Sequence, residues 1–162
     1  TTTPWTLPAN LGVALHADFT YVAGQFGNEA GERHNLVIAK DLLEEFAAKT
    51  GLAPVGEVVE FKGREVEGLD ARHPFLDRLS KVILAQFVTT ETGTGMVHIA
   101  PGHGSDDYVV GRQHGFEVIS PVDDDGKFTA EVGIEDLVGR HVFDSNERII
   151  EILSEQIGRA HV

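Results

Sequence analysis

At 162 residues, with 41% hydrophobic and 24% charged residues, the chain suits one globular domain with a real core and excludes a disordered segment. Zero cysteines exclude a disulfide framework, Cys-type zinc sites and thiol catalysis; with no apolar run able to span a bilayer and no basic-then-apolar leader, the expected compartment is the cytoplasm. A net charge of −13, from 26 acidic and 13 basic side chains, weighs against independent tight binding to a phosphate backbone, though not against gripping one terminal nucleotide.

Residues 11–16 and 21–26 alternate or run apolar and predict strands, separated by a turn at Ala17-Asp18. Residues 28–33 read as a loop tip and 34–39 as a third strand. Residues 40–49 are the clearest helix, with Leu42, Leu43, Phe46 and Ala47 at helical spacing and Gly51 as the stop. Residues 55–61 and 65–69 predict a hairpin around Lys62-Gly63-Arg64. A β-rich run over 81–89, a turn at 91–95 and a strand over 96–100 follow. A helix starts near Ser105, with Ser105 as its cap and Asp106 and Asp107 in its first turn. Residues 123–126 form an Asp-rich turn, and Ser145 or Asn146 opens a last helix carrying Ile149, Ile150, Ile152 and Leu153. The expected fold class is α/β, a β-barrel-like core of mixed strands with a few short peripheral helices.

Two stretches concentrate chemistry: residues 1–10 (TTTPWTLPAN) and 93–108 (GTGMVHIAPGHGSDDY). The first offers hydroxyls, which both donate and accept, on a chain stiffened by Pro4 and Pro8. Taken alone, it reads better as a β-branched strand with turn prolines. The second sets two glycine-rich turns around a strand and ends on a helix start with two carboxylates. Glycines let a ligand approach the backbone, and an Asp there can bind an ammonium through a charge-assisted hydrogen bond. One of Asp106 and Asp107 is expected only to complement the helix dipole. His98 lies mid-strand, where a hydrogen-bonded core histidine is as good a reading as a ligand contact; His103, between glycines, is expected to be exposed. The spacing of His98, His103 and the aspartates matches no standard metal site. Neither a Walker loop nor a Gly-x-Ser-x-Gly elbow is present. Local chemistry reaches a small polar pocket with a carboxylate.

Together the two stretches resemble the paired signatures of the editing domain inserted in class I aminoacyl-tRNA synthetases. The resemblance covers the whole chain in order, including Ile38-Ala39-Lys40-Asp41 and His73-Pro74-Phe75. Valine and leucine relatives carry Arg-Pro after the paired threonines and a Pro-Ala-His segment in the second motif. This chain has Thr3-Pro4-Trp5 and Ala100-Pro101-Gly102-His103, which is the isoleucyl-tRNA synthetase pattern.

The resemblance implies one editing domain over residues 1–162, excised from a larger synthetase, that hydrolyses valine from isoleucine tRNA, with valyl-adenylate as a second candidate substrate. It implies Asp107, Thr2 and Thr3 as catalytic residues, with Asp107 on the α-ammonium and the threonines on the terminal adenosine or a water. Thr1, Trp5, His98 and Ala100 join them in substrate binding, Trp5 and His98 as the wall that excludes isoleucine. No metal or cofactor is implied for editing; ATP serves a synthetic site whose signature peptides this chain lacks. The implied partners are the 3′ end of the charged tRNA and the rest of the synthetase in cis, the fragment being monomeric with no membrane association. The alternatives are a non-hydrolytic module positioning the tRNA end and a hydrolase acting in trans.

Overall fold

In the computed structural model, which describes residues 3–91 and 93–159, the apolar runs become strands β1 (Gly12–Leu15), β2 (Thr20–Gly27), β3 (Arg33–Ala39), β4 (Ala53–Lys62), β5 (Asp70–Arg72), β6 (Leu79–Leu84) and β7 (Met96–Ile99). The α-helices are α1 (Leu43–Thr50), α2 (Ser105–Gln113) and α3 (Asn146–Arg159). Thr1 and Thr2 lie outside the described residues. The strands form two open sheets, ordered β3-β2-β4 and β5-β6-β1-β7, with no closed barrel among the described residues. The mixed α/β class with short helices is thus as expected, in a two-sheet form. No described helix is long and apolar enough to cross a membrane.

The chain divides into two compact units, one built from Thr1–Gly12, Asp70–Lys81 and His98–Val162, the other from Val13–Leu69 and Val82–Val97. The second holds the antiparallel sheet β3-β2-β4, in which Tyr21 lies opposite Ala39 on one side and Phe61 on the other. Leu15, Tyr21, Val22, Phe26, Ile38 and Leu42 form its core. Burying a tyrosine requires a partner for its hydroxyl; Tyr21 accepts from the His16 amide and donates to the Gly95 carbonyl at 2.8 Å. The α1 helix carries Glu44 and Glu45 in its first turn and ends at Gly51, whose φ of 74° is the left-handed cap that glycine adopts without strain.

The hairpin expected around Lys62 does not form. Instead β4 continues to Lys62 and pairs along β2, while β5 pairs with β6. The reason is packing: Val58 and Phe61 lie against the core, Phe61 stacking on Tyr21 with centroids 5.9 Å apart. A Cβ at Gly63 would sit 2.2 Å from the His16 carbonyl oxygen, so the chain turns there in close backbone contact.

The first unit packs Phe128, Val132, Leu137, Val142 and Ile149 into its own core, joined by Trp5, Leu7, Phe75 and Leu153. As expected, α3 opens at Asn146 and buries Ile149 and Ile152 while leaving Ile150 exposed. The 123–126 turn closes through the Gly126 amide on the Asp123 carbonyl.

Candidate active site

The described residues expected in the site, Thr3, Trp5, His98, Ala100 and Asp107, all lie in the first unit. The threonine-rich peptide is not a strand: Pro4–Ala9 is a 3-10 helix with Thr3 as its N-cap residue. Proline at the first helical position has its φ preset and lacks only an amide that had no partner anyway, so Pro4 favours this start. Side chains far along the chain then hold the peptide. The Asn146 side-chain oxygen accepts from the Trp5 amide at 3.0 Å. His73 donates from Nε2 to the Leu7 carbonyl at 2.9 Å, and Arg78 donates to the Pro8 carbonyl. The Nδ1 of His73 accepts the Phe75 and Leu76 amides. With both nitrogens committed and 2% of its surface exposed, His73 is held neutral; burial lowers its pKa to about 4.

His98, on β7, faces the same peptide. Its Nε2 lies 2.8 Å from the Thr6 hydroxyl and its Nδ1 2.8 Å from the Asn10 side-chain amide. Thr6 in turn donates to the Thr3 carbonyl at 2.9 Å. Burial again lowers the pKa to about 4. A neutral imidazole with both nitrogens engaged is poorly placed to take a proton from water.

The second glycine-rich turn folds back tightly. The His103 amide bonds the Ala100 carbonyl at 2.9 Å, and a Cβ at Gly102 would lie 2.1 Å from the Ile119 carbonyl oxygen, so only glycine fits. His103 is not exposed as expected: its ring meets Trp5 edge-on at 4.9 Å, and burial lowers its pKa against the opposing pull of Asp107. Helix α2 has Gly104, not Ser105, as its N-cap, and Ser105 is its first helical residue. Asp107 turns back across the loop and accepts the Ala100 amide through Oδ2 at 2.9 Å, leaving Oδ1 without a hydrogen bond among the described residues. Asp106 is exposed. Of the two carboxylates, geometry therefore favours Asp107 as the one facing a ligand.

The structure brings Thr3, Trp5, His98, Ala100 and Asp107 into one unit, with different local roles. Trp5 packs on His103 and, at 6.3 Å, on Phe143, and belongs to the hydrophobic core of the unit; its buried indole N–H has no hydrogen-bond partner among the described residues. The buried Ala100 has its amide occupied by Asp107. Ser80 and Arg78 were missed by sequence reasoning; Asn10 entered only as the end of the 1–10 stretch and His73 only as part of the His73-Pro74-Phe75 landmark, neither with a role of its own. Among the described residues no cluster of three or more His, Asp or Glu could hold a metal ion.

No protein-family model matches the chain. Curated relatives do. The chain is 53% identical over 156 residues to an isoleucine–tRNA ligase of Persephonella marina and 52% identical over 159 residues to one of Thermotoga neapolitana, each alignment covering 96% of this chain. The chain belongs to the isoleucine–tRNA ligase family. It spans 16% of the length of these ligases, so it matches one segment of them. The fold has close counterparts as well. The cytosolic leucyl-tRNA synthetase editing domain of P. knowlesi superposes with a TM-score of 0.70 at 10% identity, covering 96% of this chain and 80% of that one. That of P. falciparum gives 0.70 at 11% identity, covering 96% and 75%. At such identities the likeness is one of fold, and this segment of an isoleucine–tRNA ligase has the fold of a synthetase editing domain.

Proposed function

We propose that residues 1–162 act as one proofreading domain that hydrolyses valine from isoleucine tRNA, and also valyl-adenylate, within an isoleucine–tRNA ligase. The observation that carries this reading is the posture of Asp107: one oxygen is tied to the Ala100 amide, which fixes the carboxylate over the turn, while the other is open to a ligand. A carboxylate so held pairs with the α-ammonium of a bound aminoacyl ester, fixing the carbonyl relative to the threonine-rich peptide. Thr2 and Thr3 contact the terminal adenosine or order the attacking water. Trp5 and His98 form the wall, and Thr1 and Ala100 complete the pocket. An aminoacyl ester is already activated, so positioning of one water suffices without a covalent nucleophile, a metal or a cofactor.

Proofreading is needed because a pocket built for isoleucine cannot reject valine, one methylene smaller, by more than about 1–3 kcal/mol, isoleucine against valine being the familiar illustration of this limit. A second site too narrow for isoleucine then removes what the first accepted. The tRNA end reaches this acidic domain through the rest of the ligase in cis, in the cytoplasm, and the domain itself is monomeric. ATP acts at the ligase's synthetic site.

The test is incubation of the chain with valyl-tRNA(Ile) and isoleucyl-tRNA(Ile). Release of valine with retention of isoleucine is expected. Binding of the tRNA end without release of either amino acid would identify a positioning module instead.

A further inference from the structure

We propose that Ser80, acting through Asn10, is a positioning residue that fixes the ring orientation and the Nε2–H tautomer of His98. The inference rests on the reading of this pocket as the hydrolytic site, and deepens it. It begins from the carbonyl of Gly12, which can only accept. The Asn10 side chain lies 2.8 Å from it through Nδ2, so the amide is oriented with its NH2 toward Gly12 and its oxygen away. The second hydrogen of that NH2 points at Nδ1 of His98, also 2.8 Å distant. Nδ1 must therefore be bare, and the single ring proton sits on Nε2, where it donates to the Thr6 hydroxyl. The hydroxyl hydrogen of Thr6 goes on to the Thr3 carbonyl. At the other end, the Asn10 oxygen accepts from the Ser80 hydroxyl.

The direction of every hydrogen bond in this row is forced, from the serine on β6 to the backbone of the threonine-rich peptide. Ser80 is 2% exposed and Asn10 5% exposed, so water does not readily replace either partner. Protonating the imidazole would set an N–H against the Asn10 NH2, and rotating it by half a turn would put a C–H there and forfeit the hydrogen bonds to both Asn10 and Thr6. The relay thus gives His98 one orientation and one charge state, which a steric wall requires if it is to discriminate by a single methylene. Without the Ser80 hydroxyl, the buried Asn10 oxygen loses its donor, so the amide is held only from its NH2 side and the flipped orientation becomes accessible.

The experiment is long-range proton–nitrogen NMR of the ring nitrogens in the isotopically labelled 162-residue chain, with hydrolysis of valyl- and isoleucyl-adenosine esters measured alongside. Wild type is expected to show the Nε2–H tautomer of His98 throughout about pH 5–8. In Asn10→Asp the carboxylate should draw the proton to Nδ1, so that Nε2 accepts from Thr6. In Ser80→Ala the tautomer signature should become mixed. The ratio of valyl to isoleucyl hydrolysis should fall by about fivefold or more, as expected for loss of one net hydrogen bond of about 1 kcal/mol. An Nδ1–H or doubly protonated His98 in wild type overturns the proposal, even should neither variant fold. So does a folded Ser80→Ala chain with unchanged tautomer and unchanged ratio. Hydrolysis of neither ester by wild type would instead remove the proofreading reading, leaving the spectrum to decide the relay.

Discussion

Acid should loosen this fold well above the pH at which its carboxylates titrate, because His73 and His98 are both neutral in the native state. Each has its pKa lowered from 6.5 to about 4, chiefly by burial. Between those limits the unfolded chain binds a proton at each site and the native chain does not. Their stabilising contribution is therefore complete above pH 6.5 and declines as the pH falls toward 4. At about pH 5, the buried His73 accounts for about 2 kcal/mol of lost stability relative to pH 7, and the partly accessible His98 for somewhat less. Urea unfolding followed by circular dichroism at pH 7, 6 and 5 measures the loss. His73→Asn isolates one contribution: its side-chain oxygen can take the place of Nδ1 in accepting the Phe75 and Leu76 amides, yet it does not titrate. The variant should be less stable at pH 7, since the Leu7 carbonyl loses its donor, but its decline toward pH 5 should be shallower by about one proton. An identical decline in variant and wild type would refute the assignment of His73 as a locked neutral histidine.

Asp107→Ala should lower valyl-tRNA(Ile) hydrolysis about ten- to hundredfold, the worth of one charge-assisted hydrogen bond of about 1.5–3 kcal/mol, whereas Asp106→Ala should change it little; the reverse ranking in a deacylation assay would misplace the site. His98→Ala should let the domain deacylate isoleucyl-tRNA(Ile) while still acting on valine, and absence of any gain on isoleucine would move the wall elsewhere. Gly102→Ala forces a methyl group onto the Ile119 carbonyl at 2.1 Å, so thermal unfolding should show a loss of about 2 kcal/mol or more; an unperturbed midpoint would contradict the closeness of that turn. Replacing Thr2 and Thr3 together by Val should slow hydrolysis with the fold retained, and full activity in a folded double variant would restrict both residues to a structural role.

What could be read in the sequence was local. The strand over 21–26 and the helix ending at Gly51 follow from periodicity and a left-handed cap, and both stand in the fold. Strand partnership was not legible: residues 55–61 have the same alternation whether they pair with the next segment or with β2, and only the packing of Phe61 on Tyr21 decides. The threonine-rich peptide was misread as extended because β-branched composition outweighed Pro4, whose position favours a helical start. In the candidate site, local chemistry left Asp106 and Asp107 undivided and the resemblance alone named Asp107; its fold-back onto the Ala100 amide had no mark in the sequence. Ser80 could not be found at all. A serine just before a β-rich run carries no mark of the amide it meets 70 positions away.

The staples on the Pro4–Ala9 helix also set an order of events during synthesis. This peptide leaves the ribosome well before Asn146, which accepts the Trp5 amide and is made 141 residues later. His98, 92 residues beyond Thr6, also arrives late. Until then this segment has few of its final partners. Loop closure over such separations makes folding slow relative to chains with local contacts, and leaves apolar side chains such as Trp5 uncovered meanwhile. The nascent segment is consequently open to aggregation and proteolysis at a peptide that is finished only when its distant partners arrive.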